Sequence, residues 1–277
     1  MAVTNENGAL KSVGVVSPKY YKRTDPINEK QAVEYALGAV DPGQLIDEHA
    51  ALTDILRASG ASLIEIEPNP LQPYALNVRD AAVVIGEQLI ACSMGKGVRQ
   101  TEPFWLVPQL AWAANVVFIG SGSLEGGDVF VFDCACLVGL SERTDLAGMN
   151  SLASVIEFDA IPVPLKPGVL HLDTALNLIG DKLVVAPDLL ADYNGFKRRP
   201  NSLNVSTVSP VTAEATWDLA TNFFFLEPKR ALTSATSTVG RHILESSGVE
   251  VIDVPMAQHH RIGGSVRCAT LPLERVA

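Results

Sequence analysis

The sequence predicts an α/β fold in which five copies of a strand–strand–helix–strand module surround a common axis. Three observations predict it. Short runs rich in Val and Ile alternate with a few helical patterns, β-hairpins recur, and a polar residue precedes each hairpin at a nearly fixed interval. The polar residues are Asp80, Asp128, Asp173 and Asn222, followed at the next equivalent place by Cys268, with intervals of 48, 45, 49 and 46 residues. A period of this size indicates repeats of one supersecondary unit.

The helices follow from capping residues and spacing. Asp41 and Pro42 begin a helix whose apolar positions include Leu45 and Leu52, and Gly60 ends it. The same signals predict further helices at 103–114, 145–153, 212–220 and 237–247. A strand is expected directly after several of the helices, at 62–67, 115–119, 154–158 and 249–253.

The hairpins supply the other half of each module. Each is an apolar run, a tight polar turn and a second apolar run. They are 81–91 turning at 86–88, 129–138 turning near Asp133, 175–186 turning at 180–182, and 223–232 turning at 227–229. Residues 12–67 supply the remaining elements, so five copies fit the chain.

Five modules could form either an open solenoid or a closed ring. A third interpretation is that similar turn residues alone produce the regular spacing, without any repeated module. We favour the ring, because no repeat is built as a cap and because closure removes exposed sheet edges. A ring would bring Asp80, Asp128, Asp173 and Cys268 together at the axis. No linker or low-complexity segment divides the chain, so we expect a single domain spanning 1–277.

Composition excludes several classes of function. Thirty-one acidic against twenty-one basic residues give a net charge of -10 without a basic stripe, which argues against a nucleic-acid surface. The apolar stretches are too short for a membrane span, and the first residues lack a secretory signal, so a cytoplasmic protein is expected. The periodic apolar positions would suit a core and a subunit interface equally well. The sequence therefore leaves the oligomeric state open, with a homodimer as the default expectation.

The cysteines and the glycine-rich loop give no reason to expect a metal or a cofactor. Cys134 and Cys136 lie two residues apart, and no second pair completes a zinc site; Cys92 and Cys268 stand alone. The loop 120–126 follows a strand as a phosphate-binding loop would, but it leads into another strand rather than a helix. We therefore expect neither a cofactor nor a structural metal.

Polar residues at the hairpin entrances form a chemically useful set. Cys268 supplies a thiol, His171 an acid/base, and the neighbouring carboxylates can orient the imidazole or hold a cation, which suits a guanidinium substrate. Arg267, beside Cys268, would favour the thiolate. Taken alone, each residue has a plainer interpretation, since a lone cysteine is more often a small buried apolar residue and a lone histidine more often a satisfied core residue.

Together these segments resemble the guanidino-group-modifying (pentein) superfamily, which includes arginine deiminases, dimethylarginine dimethylaminohydrolases and amidinotransferases. The matching stretches occur in order over most of the chain: Arg-Asp-Ala-Ala-Val-Val-Ile at 79–85, Glu-Gly-Gly-Asp-Val at 125–129, Val-Gly-Leu-Ser-Glu-Arg-Thr at 138–144, Leu-His-Leu-Asp-Thr at 170–174, and the glycine pair before Cys268. The resemblance implies the same pseudo-fivefold α/β propeller that the repeats predict.

The resemblance also implies three catalytic roles. Cys268 would attack the guanidinium carbon and give a covalent thiouronium intermediate. His171 would protonate the leaving amine and then activate the water that releases a ureido product. Glu125 would hold the imidazole in orientation, as in other arrangements of nucleophile, base and orienting group.

Five further residues are implied to bind the substrate. Asp80 and Asp173 would bind the guanidinium nitrogens. Arg99 and Arg143 match positions that grip the α-carboxylate of the substrate. For Asp128 two roles stay open, one in contact with the substrate and one in fixing its own loop.

The choice of substrate within the superfamily depends on opposing features. Asp173 favours an unsubstituted guanidinium, since deiminases and amidinotransferases share this acid whereas dimethylarginine hydrolases commonly lack it. The length favours the compact dimethylarginine-hydrolase branch, although Asn77 stands where that branch usually has an aromatic or apolar residue. The sequence therefore predicts a cysteine hydrolase of arginine or an N-methylated or arginine-like compound, releasing an amine or ammonia. The alternatives are an amidinotransferase with the same cysteine chemistry and a non-catalytic guanidino-binding protein.

Overall fold

The computed structural model describes residues 1–113, 115–133, 135–198, 207–212 and 217–276. Within these ranges the chain forms fifteen strands: β1 (Ala9–Val16), β2 (Ser62–Ile66), β3 (Ala82–Ile85), β4 (Gln88–Ala91), β5 (Asn115–Phe118), β6 (Val129–Phe132), β7 (Ala135–Leu140), β8 (Asp159–Pro164), β9 (Leu176–Ile179), β10 (Lys182–Val185), β11 (Thr207–Pro210), β12 (Phe224–Glu227), β13 (Arg230–Ser234), β14 (Glu250–Val254) and β15 (Leu271–Val276).

The strands group into five three-stranded sheets. In every sheet the central strand pairs antiparallel with one neighbour and parallel with the other, as in β3-β4-β5, β6-β7-β8, β9-β10-β11 and β12-β13-β14. The antiparallel pair is the predicted hairpin, and the parallel strand returns after a crossover. The fifth sheet, β15-β1-β2, joins the two ends of the chain.

Consecutive modules pack side by side around an axis through shared apolar clusters. We number the modules by their sheets: β3-β4-β5 is the first, β6-β7-β8 the second, β9-β10-β11 the third, β12-β13-β14 the fourth and β15-β1-β2 the fifth. One apolar cluster joins the first and second modules and also includes Leu271 and Leu273 of β15. Other clusters join the second module to the third, the third to the fourth, and the fourth to the fifth. The circle of contacts returns to its start, which confirms the pseudo-fivefold arrangement and rules out an open solenoid.

The α-helices of the described residues lie in the crossovers and near the chain ends: α1 (Glu29–Leu37), α2 (Pro42–Ala58), α3 (Glu102–Leu106), α4 (Leu146–Ala153), α5 (Tyr193–Lys197), α6 (Thr238–Ser246) and α7 (Ala257–Arg261). The prediction for α2 is confirmed in detail. The Asp41 carboxylate accepts from the N–H groups of Gly43 and Gln44, and Leu52 and Leu56 are fully buried. No helix in the described part of the chain has the length and apolar character needed to cross a membrane.

Several predicted elements are corrected. The helix expected at 103–114 ends at Leu106 and continues as 3-10 turns, because Pro108 has no N–H to donate and its ring crowds the preceding turn. The strand expected at 154–158 is wrong: the N–H groups of Val155 and Ile156 still bond to Leu152, and β8 begins only at Asp159. The prediction for 212–220 lies largely outside the described residues. The sequence analysis did not predict α1, α5 or α7.

Candidate active site

The candidate site lies where the hairpins begin. Single 3-10 turns at Val78–Asp80, Gly126–Asp128 and Leu172–Thr174 immediately precede the first strand of three successive modules and pack against one another near the axis. Gly127 lies in this contact, where an added Cβ would come within 2.7 Å of His171 Nδ1 and 2.8 Å of Asp80 Oδ1. A side chain at Gly127 would therefore push His171 and Asp80 apart.

His171 and Glu125 form a buried pair. His171 Nε2 lies 2.8 Å from Glu125 Oε2, and both side chains are almost fully buried. The other side of the Glu125 carboxylate accepts from Gly95 N at 3.0 Å, and Arg143 Nη1 lies 3.0 Å from Oε2. The carboxylate is thus held from three sides, and it fixes the orientation of the imidazole as the resemblance implies.

The charges around His171 keep it protonated at neutral pH. Burial alone would lower the pKa of His171, but Asp80, the hydrogen bond to Glu125 and Asp128 outweigh it and raise the pKa to about 9. For Glu125, burial would raise the pKa, but the hydrogen bond to His171 and the guanidinium of Arg143 outweigh it and keep the pKa below its usual range. The pair is therefore an imidazolium and a carboxylate, suited to donating a proton to a leaving amine.

Asp80 lies beside His171 and is held by Arg99. Arg99 Nη1 lies 2.6 Å from Asp80 Oδ2, while Asp80 Oδ1 is buried without a hydrogen-bond partner in the described structure and lies 3.7 Å from His171 Nδ1. Asp80 lines the catalytic cavity. It is therefore a ready acceptor for a cationic N–H.

The expected role of Arg99 in gripping a carboxylate of the substrate does not fit its placement. Its Nε and Nη2 bind the carboxylate of Glu102, its Nη1 binds Asp80, and its Nη2 also donates to Asn77 O. Only 2% of Arg99 is exposed. Its contacts position Asp80, and binding a substrate carboxylate would require breaking them.

Arg267 holds Asp173 much as Arg99 holds Asp80. Arg267 Nη1 lies 2.9 Å from Asp173 Oδ2, and Asp173 Oδ1 is a second buried acceptor without a partner in the described structure. Arg267 in turn lies 3.1 Å from Glu6 Oε1, which also binds Arg79 Nη1 at 3.3 Å. Glu6 thus links two buried arginines behind the site.

Cys268 follows directly on Arg267, and its sulphur lies among polar groups. Cys268 Sγ accepts from Asn222 Nδ2 at 3.2 Å and lies 3.7 Å from Asp173 Oδ2. Gly264 precedes it in the loop, where an added Cβ would come within 2.4 Å of Asn77 Oδ1. The glycine therefore allows the Cys268 loop to approach the first module closely.

The guanidinium of Arg267 interacts favourably with the Cys268 thiolate, as does that of Arg79, but other groups around the sulphur oppose the thiolate more strongly. Burial raises the pKa of the Cys268 thiol well above its usual value, and Asp173 and Asp80 raise it further. The guanidinium of Arg267 is already paired with Asp173 and Glu6. Cys268 is therefore a neutral thiol at neutral pH.

Arg143 lines the catalytic cavity and contacts the segment that covers it. Its Nη2 donates to Ile27 O at 2.6 Å, and Gln31 Nε2 donates to Ile262 O at 2.8 Å. The cavity is lined by Asp80, His171 and Cys268 together with Ile27, Asn28, Ile262 and Gly263. The free volume of the cavity is about 10 Å³, enough for about one water molecule. A substrate can bind only if residues around Ile27 move.

Two roles were left open for Asp128, contact with the substrate and fixing its own loop, and its contacts match the second. Its Oδ1 accepts from Leu172 N at 2.8 Å and its Oδ2 from Ser141 Oγ at 2.7 Å. It does not line the catalytic cavity. Burial raises its pKa to about 6, against the opposing effect of His171 and these hydrogen bonds. Asp128 thus holds the backbone next to His171.

Among the described residues, the ligand atoms of Asp80, Glu125 and His171 lie within 4.8 Å of one another and could surround a metal ion. The same atoms are bound to one another and to Arg99 and Arg143, so they already form a compensated charge network. His259 and His260 lie in α7. There they contact Glu48, Thr236 and Ser265, and not Asp128.

Sequence reasoning missed four residues that shape the site: Glu6, Gly95, Glu102 and Asn222. Asn222 had a signal, because it occupies the fourth position of the repeat that also contains Asp80 and Asp173. Glu102 lies three residues after Arg99 on the same turn, a spacing that permits an ion pair. Glu6 precedes every repeated element, and nothing in its local sequence points to the axis.

A family model described as "N,N dimethylarginine dimethylhydrolase, eukaryotic" matches residues 20–275. The chain belongs to this family. It is thereby a member of the guanidino-group-modifying superfamily that its motifs resemble.

Two curated relatives match most of the chain. The Bacillus subtilis protein YkgA, described as uncharacterized, is 26% identical over 275 residues, which cover 98% of this chain and 94% of YkgA. The N(G),N(G)-dimethylarginine dimethylaminohydrolase of Streptomyces coelicolor is 26% identical over 243 residues, covering 86% of this chain and 89% of that enzyme.

A solved structure shows the same fold. It is the product complex of the N-terminal domain of ArgZ, an arginine dihydrolase from the ornithine-ammonia cycle in cyanobacteria, with a TM-score of 0.83 and 18% identity. The match covers 96% of this chain and 98% of that domain. This likeness confirms the pseudo-fivefold α/β fold predicted from the repeats.

Proposed function

We propose that this chain is a cysteine-dependent hydrolase that converts the guanidino group of an arginine-like compound into a ureido group. One observation carries the proposal: a thiol, an imidazolium–carboxylate pair and unpartnered carboxylate oxygens lie together in one buried place. Asp80, His171 and Cys268 line the same cavity, and Asp173 lies beside the sulphur. Family membership supports the same class of reaction.

The charges give the order of events. A guanidinium cation between Asp80 and Asp173 would stabilise the Cys268 thiolate, whose sulphur attacks the guanidinium carbon and forms a C–S bond. His171 then gives its proton to one nitrogen, the C–N bond breaks, and an amine leaves. A cationic thiouronium group remains on Cys268.

Hydrolysis uses the same residues in reverse. Neutral His171 takes a proton from water, and the oxygen adds to the thiouronium carbon. The C–S bond breaks, Cys268 leaves as the thiolate, and the ureido product loses a proton that restores the Cys268 thiol. The proton that the thiol gave to solvent when the guanidinium bound converts the released amine to its ammonium form. The sum is one guanidinium and one water converted to one urea and one ammonium or alkylammonium ion. Each residue ends in the state in which it began.

The unpartnered oxygens favour a substrate with free N–H groups. Asp80 Oδ1 and Asp173 Oδ1 are both buried acceptors without a partner among the described residues, and so is Asn77 Oδ1, also in the cavity wall. An unsubstituted guanidinium offers each of them a donor, whereas N-methyl groups remove donors. Leaving one buried acceptor unpaired costs about 1–3 kcal/mol, or about 5- to 150-fold in affinity. We infer that arginine is preferred over dimethylarginine.

Arg143 is the better placed of the two arginines expected to bind the α-carboxylate. It lines both the catalytic cavity and an adjoining cavity of about 160 Å³, and its Nη2 is bound only to a backbone carbonyl of the covering segment. Movement of Ile27 would release that donor for a carboxylate. Arg99 would have to abandon Asp80 to do the same.

The substrate is tested by offering L-arginine, monomethylarginine and asymmetric dimethylarginine separately and measuring citrulline and the released amine. We expect citrulline and ammonia from arginine, at a kcat/KM at least about tenfold above that for dimethylarginine. Preferred release of dimethylamine would overturn the inference from Asp80 and Asp173. Suppression of citrulline by added glycine, with a new guanidino product, would show amidino transfer. Tight binding of arginine without any product would show a binding protein.

A further inference from the structure

Asn222 contacts the sulphur of Cys268 from the fourth module. It lies just before β12, and only 1% of it is exposed. Its Nδ2 lies 3.2 Å from Cys268 Sγ. Of the five polar positions in the repeat, it is the one whose side chain is neutral and can donate a hydrogen bond to sulphur.

The orientation of the Asn222 carboxamide is determined by its other contacts. Its Oδ1 accepts from two consecutive backbone N–H groups, those of Arg267 at 3.1 Å and Cys268 at 3.4 Å. An amide nitrogen cannot accept these bonds, so Oδ1 must face the backbone. The Nδ2 group is then directed at Sγ, and its N–H is donated to the sulphur.

Neighbouring side chains hold Asn222 in this position. Asn177 Nδ2 donates to Thr221 O at 2.6 Å and to Phe223 O at 3.0 Å, the carbonyls on either side of Asn222. Thr221 Oγ1 donates to Asp173 O at 3.0 Å. The donor is therefore supported by two modules rather than by a free loop.

We propose that Asn222 is a further catalytic residue of this site, one that stabilises the Cys268 thiolate through its N–H and holds the sulphur in place for attack. The proposal rests on the proposed function in that Cys268 must be the nucleophile.

The other groups around the sulphur make such a donor necessary. Asp173 and Asp80 disfavour the thiolate, and the guanidinium groups of Arg267 and Arg79 are already bound to Glu6, with Arg267 also bound to Asp173. His171 lines the same cavity but is bound to Glu125. A backbone N–H contact at Ser265 and the hydrogen bond from Asn222 both lower the pKa of the Cys268 thiol, and the guanidinium groups of Arg79 and Arg267 also interact favourably with the thiolate.

The test measures alkylation of Cys268 by iodoacetamide without substrate, at several pH values between about 7 and 10, with peptide mass spectrometry to assign the label. Asn222→Ala removes the donor without adding charge, and Asn222→Asp keeps an oxygen for both backbone N–H groups but loses the donor. We expect alkylation at least about tenfold slower in Asn222→Ala, and slower still in Asn222→Asp, because a tenfold loss corresponds to a rise of about one unit in the pKa of the thiol.

Thr53→Val is the matched control. It removes a buried hydroxyl in α2 that donates to Ala50 O and does not line the catalytic cavity. Its alkylation rate should equal that of the unaltered protein even if its melting temperature falls. The Asn222 variants should also lose kcat with little change in KM.

Equal alkylation rates in folded Asn222→Ala and the unaltered protein would overturn the proposal. If the alanine variant does not fold, an unchanged rate in Asn222→Asp overturns it equally. Failure of the proposed function has a different signature, which is full turnover by Cys268→Ser. Since alkylation is measured without substrate, the two failures are distinguishable.

Discussion

Replacing Glu125 by Gln should reduce kcat for ureido formation by roughly 10²–10⁴-fold at pH 8. Glu125 Oε2 accepts the hydrogen bond of His171 Nε2, and its charge is one reason that the pKa of His171 is raised to about 9. Glutamine keeps the shape but not the charge, so the pKa of His171 should fall toward its usual value of 6.5. The imidazole would then be mostly neutral at pH 8 and unable to protonate the leaving amine.

The pH dependence of kcat distinguishes a lowered pKa of His171 from a general loss of active-site structure. In the unaltered enzyme, kcat should decline above about pH 9, where His171 loses its proton. In Glu125→Gln the decline should begin at a lower pH. Glu142→Gln, an exposed residue beside Arg143, should leave both rate and profile unchanged. A folded Glu125→Gln enzyme with the original high-pH limb would show that the carboxylate does not set the proton affinity of His171.

Replacing Glu6 by Gln should lower the free energy of unfolding by about 3–5 kcal/mol, because it leaves buried arginines without their counter-charge. Glu6 lies 3.3 Å from Arg79 and 3.1 Å from Arg267, and Arg275 is close enough to lower its pKa as well. Chemical denaturation measures the loss. Glu87→Gln, an exposed substitution in the β3–β4 turn, should change stability by less than about 0.5 kcal/mol.

The contribution of Glu6 also depends on pH. Burial would raise its pKa, but Arg79 and Arg267 outweigh burial and hold the folded-state pKa below the ordinary value of 4.5. The stabilisation is therefore present above about pH 4.5 and is lost as pH falls through the folded pKa. Glu6→Gln should lack this component of acid sensitivity. Equal stabilities of Glu6→Gln and the unaltered protein at pH 7 would mean that the axial charge cluster is compensated in some other way.

The repeat made much of the fold predictable. Hairpin turns, the capped helix α2 and the regular spacing of Asp80, Asp128 and Asp173 are local signals, and each appears in the structure at its expected place. The ring was predicted because closure would remove sheet edges, but the five sheets stay separate and the ring closes through apolar side chains packed between modules. The prediction of a strand at 154–158 was wrong because, in an apolar run that follows a helix, no sequence signal marks where the last helical turn ends and the next strand begins.

The partners of the site residues were less predictable. A motif identifies Arg99, but its contacts with Asp80, Glu102 and Asn77 O depend on how the crossover after β4 folds back onto the turn before β3. The pairing of Glu6 with Arg267 joins residues 261 positions apart. Local sequence also suggested that Arg267 activates the thiol. The size of this effect depends on the pairing of Arg267 with Glu6 and Asp173, which only the fold determines.

The most direct measurement of the central claim is acid quenching of the enzyme during turnover of arginine, followed by intact-protein and peptide mass spectrometry. The account predicts an adduct on Cys268 whose mass is that of arginine less ammonia, absent in Cys268→Ser and present in Cys136→Ser. Cys268→Ser should also form no citrulline. Full citrulline formation by Cys268→Ser, or turnover that stops on addition of a chelator while no adduct forms, would contradict covalent catalysis by Cys268.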